Sequence, residues 1–255
     1  LDKWRRRQEA DPWTRGQQSQ KPKQLWAHKN VLTDYQVWVT YRLATQQLNL
    51  YYDGRQRDDG CLLDEHCHQR PETITHIVWT YQRAQAYWRK LLQHWLGREI
   101  CSEDMTMYHG YFSARVAPPV GNLLRRRLTT LYGGRDTEYE VALRRIWWAF
   151  CSIAYAMLWQ LRNQVVHDQK KWTRPQHLDA IWTGRFRQLS AVASKESKTP
   201  STRIQGWKSR LIDCLASMEG EASSSDEPQP PPPPWLCQQE MALLKRLRLY
   251  QEANN

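Results

Sequence analysis

Glycine is scarce: 11 residues in 255, none of them in a GxxxxGK or GxGxxG spacing. That excludes the glycine-rich loops that cradle phosphates in nucleotide-binding α/β folds. Cysteine is also sparse. Six irregularly spaced cysteines do not make a disulfide scaffold, so a reduced, intracellular protein is expected, with the nucleus among its compartments. No apolar run approaches the roughly 18–20 residues a membrane span needs, and the mean hydropathy is −0.81. No membrane partner is expected, and the charged residues after Leu1 do not read as a secretory leader. Phenylalanine is scarcest of the aromatics, 3 against 14 Trp and 12 Tyr.

The charge is one-sided. Lys and Arg total 37 against 26 Asp and Glu, a net +11. Such an excess favours a polyanion, because cationic side chains release the counterions condensed on phosphates. RNA or DNA is therefore the expected partner. Arg5-Arg6-Arg7 and Arg125-Arg126-Arg127 are candidate phosphate contacts, with a solvated surface as the competing reading. The tryptophans anchor a core, or stack on unpaired bases where exposed.

Apolar periodicity predicts a mainly α protein, a helical bundle with little sheet. Residues 1–24 read as a disordered basic arm. A helix is expected from Val31 to Leu50, its buried face carrying Leu32, Tyr35, Val39, Leu43 and Leu50, widened by Trp38 and Tyr41. Another carries Ala84, Trp88, Leu91, Leu92 and Trp95, and stops at Gly97. Residues 100–122 read as irregular. From about Glu138, Leu143, Ile146, Trp147, Phe150, Ala154, Leu158, Leu161 and Val165 predict the central core helix. Leu178, Ile181, Trp182, Leu189 and Val192 predict the next. The expected division is 25–100, 101–218, a Pro/Ser-rich linker at 219–235, and a basic helix at 236–255. Pro230 to Pro234 would adopt polyproline II, a spacer or a ligand for an SH3- or WW-type groove.

Residues 61–76 hold Cys61, His66, Cys67, His68 and His76, five candidate zinc ligands, with Asp64 as a harder one. This stretch resembles the zinc-binding region downstream of the polymerase in non-LTR retrotransposon reverse transcriptases. That pattern runs Cys-x2-Cys, Glu-Thr, His-x4-Cys, then Ala-x3-Trp. Cys61-Leu62-Leu63, Glu72-Thr73, His76-Ile77-Val78-Trp79, and Ala84-x3-Trp88 with Trp95 carry it here. Leu158-Trp159-x2-Arg162-Asn163-x2-Val166 resembles the Trp-x2-Arg-Asn helix that follows the module. The resemblance covers about residues 25–172. It implies a small zinc-knuckle-like segment on helices, with Cys61, Asp64, Cys67 and His76 as ligands and zinc as cofactor. Asp64 stands where the second cysteine belongs and Tyr81, a poor ligand, where the last does.

No polymerase motif is present, and Tyr51-Tyr52-Asp53-Gly54 lacks the second aspartate of a catalytic turn. Two-metal nucleotidyl transfer then has no carboxylate pair to work with. The first functional reading is a noncatalytic nucleic-acid-binding module. Arg162-Asn163-x3-His167 also matches the signature of HEPN-type helical ribonucleases, in which Arg162 and His167 would be catalytic. A metal-free interaction scaffold is the third reading.

Overall fold

The computed structural model describes residues 11–28, 31–50, 60–63, 67, 71–122, 124–126, 129, 136–168, 184, 187–189 and 191–192, with side chains from 143 onward in the long helix. These residues are 72% helical, and among them the only β pairing is an isolated bridge between Gly60 and Pro71. The mainly α expectation holds. Arg5, Arg6, Arg7, Asp64, Arg127, His66, His68, the proline run and the C-terminal helix lie outside the described residues.

Order begins earlier than residue 25. Asp11 caps α1 (Pro12–Gln18), accepting from the amides of Trp13 at 2.9 Å and Thr14 at 3.2 Å. Pro12 starts the helix, where its missing N–H costs nothing. This turns Trp13 fully inward. A short helix, α2 (Pro22–Leu25), follows and buries Leu25. The expected arm at 1–24 therefore fails over 11–24: one aspartate, one proline and one tryptophan outweigh the polar composition around them.

Helix α3 (Asp34–Ala44) starts in a capping box between Thr33 and Gln36 and is shorter than the predicted Val31–Leu50 span. Val39 and Leu43 are fully buried, and Leu32 and Leu50 are buried in the flanking chain. Tyr35 and Trp38, expected in the core, are 38% and 40% exposed. The buried face is instead centred on Gln36, Val37, Val39, Thr40 and Leu43.

A π-helical turn (His76–Thr80) leads into α4 (Gln82–Leu96), which stops at Gly97 in the left-handed conformation, φ 72°. Residues 100–122, expected to be irregular, contain α5 (Ser102–Ser113). Asp104 explains it, receiving the Cys101 amide at 3.0 Å and both Arg98 guanidinium nitrogens at 2.7 and 2.6 Å. The charge-assisted pair fixes the first turn. The last long element is α6 (Asp136–Asp168), 33 residues, buried on every side from Ile146 to Ala156. A helix apolar all round must sit at the centre, and α3 and the π turn pack against it.

One continuous cluster joins residues from Trp13 to Leu189, so no core boundary falls at residue 100. Of the helix predicted around Leu178 to Val192, Leu189 reaches this cluster, while Leu178, Ile181 and Trp182 lie outside the described residues. Its heart is aromatic. Trp13 stacks on Trp79 at 5.1 Å, Trp88 meets Phe112 at 5.0 Å, and Phe112 stacks on Trp147 at 5.1 Å. Such pairs add about 0.5–1.5 kcal/mol each beyond their burial. Arg115, buried and held at φ 56°, donates to Gln20, Ser152 and the Gln24 carbonyl, and lies over Trp148. It clamps the α1–α2 segment to α6. Burial pushes its pKa down to about 10, so it stays charged at neutral pH.

Two details of this core are testable. Helix α1 crosses α5 at Gly16, where a Cβ would fall 1.9 Å from Ser113 Oγ and 2.8 Å from Ser113 Cβ. Gly16→Ala is expected to lose about 1–3 kcal/mol of stability by overpacking, read from the urea midpoint; an unchanged midpoint would show that the helices can part freely. His109 sits between Trp13 at 5.4 Å and Trp79 at 4.5 Å, and burial lowers its pKa to about 4. Asp11 opposes that shift and Arg15 adds to it. The unfolded chain thus binds the proton first as pH falls. His109 costs nothing above about pH 6.5, and stability drops between there and pH 4 by about 3 kcal/mol across the window. His109→Phe should flatten the dependence of unfolding free energy on pH in that window; an equally steep profile would remove His109 as its source.

Candidate metal centre

The bridge between Gly60 and Pro71 closes the segment that carries two of the cysteines. Cys61 follows the bridge directly and is fully buried. The Leu63 amide donates to its Sγ at 3.5 Å. His76 reaches the same place from the other side. Thr73 begins its helical turn, its Oγ1 accepting the His76 amide at 3.0 Å and its carbonyl accepting from Ile77 at 3.1 Å. A side-chain oxygen at that position satisfies an amide the helix cannot.

The turn then widens. The Tyr81 amide donates to the His76 carbonyl at 2.8 Å, five residues back, which makes it π-helical. Carbonyls of Val78 and Trp79 are taken up by Trp88 Nε1 and Gln85 Nε2, each at 2.8 Å. Helix α4 thus supports the widened turn through its own side chains. π turns are rare and concentrate at functional positions.

Cys61, Cys67 and His76 each offer a ligand atom, and these atoms all lie within 4.8 Å of one another. Cys61 and His76 are buried and Cys67 is partly so. A tetrahedral zinc with bonds of about 2.0–2.3 Å sets its ligands about 3.5–3.8 Å apart, so these three need draw in only slightly. His76 Nδ1 lies 2.9 Å from Thr80 Oγ1. With Nδ1 donating there, Nε2 presents its lone pair, the usual division of labour for an anchored histidine ligand. Burial pushes the Cys61 thiol up to about 12; the Leu63 amide opposes this, and Glu72 and Cys67 add to it. A cation at the centre of the three would reverse that balance.

Three of the four residues expected as zinc ligands, Cys61, Cys67 and His76, therefore lie close enough to hold a metal ion. Asp64 is outside the described residues. Tyr81, standing at the last ligand position, does something else: its hydroxyl donates to the Leu63 carbonyl at 3.3 Å. It ties the π turn to the Cys61 turn.

Beneath the centre lies an ion pair that the sequence shows only as two separate motifs. Glu72 meets Arg162 of α6 through Oε1 to Nε at 3.2 Å and Oε2 to Nη2 at 2.6 Å. Both side chains are essentially sealed, 2% and 1% exposed. Arg162 also donates to the Leu50 carbonyl at 3.0 Å and to Asn163 Oδ1 at 3.2 Å, and sits 5.2 Å from the Trp159 ring. Its guanidinium has no surface left for a phosphodiester. His167 is exposed, one and a half turns further along. The pairing of Arg162 with Glu72 thus accounts for the Arg-Asn motif structurally and removes the support for a ribonuclease site there.

Of the candidate phosphate contacts, Arg125 and Arg126 are exposed on a helical turn. No helix among the described residues is long and apolar enough to cross a membrane. No protein-family model, curated protein or solved structure matches this chain.

Removing one partner of a buried ion pair strands the other charge. Glu72→Gln and Arg162→Met are each expected to cost about 3–5 kcal/mol, and Glu72→Leu combined with Arg162→Met less than either alone. Urea unfolding of the three variants checks this. Additive losses would mean the two groups do not act as a pair.

Proposed function

We propose that this chain is a noncatalytic helical module, related to the zinc-binding region of retrotransposon reverse transcriptases, in which one zinc ion braces the 60–81 segment and the surface binds RNA or DNA. The observation that carries the reading is the convergence of Cys61, Cys67 and His76 within 4.8 Å. Two sulfurs and an imidazole suit zinc and disfavour magnesium or calcium, which take oxygen ligands. The fourth position falls to Asp64, His66, His68 or a water. The charge of +11 supports a polyanionic partner.

A noncatalytic role fits the carboxylates. Among the described residues the buried ones are Glu72 and Asp104, and each is committed to an arginine. Neither is placed to hold a catalytic cation.

Native mass spectrometry of protein purified without chelator is expected to show one zinc per chain, lost in Cys61→Ser, Cys67→Ser and His76→Ala. Chelation is expected to lower the melting temperature without abolishing helical circular dichroism. Binding to RNA or DNA should weaken linearly in log–log form as salt rises. A metal-free chain in zinc-supplemented buffer would sink the metal half of the proposal, and salt-independent affinity the nucleic-acid half.

A further inference from the structure

Most described tryptophans are inside; Trp13, Trp88, Trp95 and Trp147 are fully buried. The exceptions cluster. Trp26 is 52% exposed, and among the described residues Tyr35 and Trp38 are the other large aromatics left in solvent. Tyr35 and Trp38 share a face of α3, and Trp26 meets the same helix at Tyr41. Tyr35, Trp38 and Arg42 follow each other at steps of three and four on α3, which places them on one helix face. Trp26, after α2, lies against Tyr41 of the same helix at 4.4 Å with planes 31° apart. Tyr35 and Trp38 are nearly parallel, 6.0 Å apart at 23°. The Arg42 guanidinium caps the row 4.9 Å from the Trp38 ring.

On α3, Gln36 and Thr40 face inward while Tyr35 and Trp38 face out. The flanking charges are mostly positive. Lys21 and Lys23 are exposed on and beside α2, and Arg42 stands at the far end, against Asp34. A row of flat rings bordered by cations matches one ligand chemistry: unpaired bases on a phosphate backbone. Every base has a face to stack, and duplex bases do not offer theirs. Arg42, positioned over a ring, extends the same platform.

We infer that the Trp26, Tyr35, Trp38 and Arg42 surface is a stacking platform for single-stranded nucleic acid, RNA or DNA. This rests on the nucleic-acid reading above and adds the place and the strandedness. The rings read the bases, and Lys21, Lys23 and Arg42 hold the backbone. Because the surface lies on α3, away from the Cys61–Cys67–His76 cluster in the chain, its binding does not depend on a ligand to the metal.

The test uses the full chain and three labelled probes, oligo-U, oligo-dT and a mixed-sequence duplex, followed by fluorescence anisotropy at fixed salt. The wild-type chain is expected to prefer both single strands. Trp38→Ala combined with Trp26→Ala should weaken them about tenfold or more while duplex affinity stays within about twofold. Tyr35→Ala serves as the smaller second variant, and circular dichroism melts confirm that all remain folded. Unequal loss between oligo-U and oligo-dT would assign the platform to one nucleic acid. Full single-strand affinity in folded variants would overturn the platform and leave the general nucleic-acid reading standing. No binding of any probe by the wild-type chain would overturn both. A shift in sedimentation on Trp38→Ala, with binding unchanged, would reassign the face to contact between copies and likewise overturn it.

Discussion

Glu72 and Arg162 meet ninety residues apart in the chain and out of reach of water. Burying two charges is expensive, and the cost is recovered only with good geometry and with every remaining donor used. Here the fork is bidentate, and the spare donors go to Leu50 and Asn163. The pair therefore does more than add energy. It fixes where residue 72 sits on α6, and Thr73, the cap of the ligand-bearing turn, is the next residue. A different register between the 60–81 segment and α6 would leave both charges stranded, so alternatives are penalised far more than this arrangement is favoured. The position of His76 follows from that constraint.

The candidate metal centre and Tyr81 act on the same segment. A full set of four thiolate and imidazole ligands would close the segment by coordination alone. Tyr81 carries no such ligand, and its hydroxyl reaches the Leu63 carbonyl next to the Cys61 turn. A hydrogen bond of this kind contributes about 1 kcal/mol, far less than a structural zinc ligand. It needs no cation, however, and its ring packs 6.0 Å from His76 in an edge-on contact. The hydrogen bond and ring contact of Tyr81 thus hold the segment by packing, independently of any cation.

How far this was legible in the sequence depends on whether the cause is local. Helix α4 and its stop at Gly97, and the central position of α6, follow from periodicity and from a residue that tolerates positive φ. Cys61, Cys67 and His76 were readable as candidate ligands because their chemistry is distinctive, and they lie close enough to hold a metal ion. Helix α1 was missed because composition over 24 residues averaged away Asp11, Pro12 and Trp13, a three-residue signal. Helix α5 was missed because its start depends on Arg98 and Asp104 forming a pair. The α3 face was misphased because Tyr35 and Trp38 count as apolar in any periodicity yet stay in solvent. The Glu72–Arg162 pair was out of reach altogether: each residue stood in a recognisable motif, but nothing in the chain says which distant charge a buried glutamate will find.

The aromatic core changes what a metal would mean in this molecule. In the smallest zinc domains the ion supplies most of the folding free energy, because too little apolar surface is buried without it. Here Trp13, Trp79, Trp88, Phe112 and Trp147 interlock across α1, α4, α5 and α6 with no contribution from the ligands. The centre touches this network at one point, since Trp79 lies three residues after His76 on the π turn. Were an ion bound there, its loss would loosen the approach of Cys61, Cys67 and His76, while the tryptophan stack keeps the π turn against α4 and α6. The brace is local, and the helices that carry the exposed aromatic row on α3 stand on the core instead.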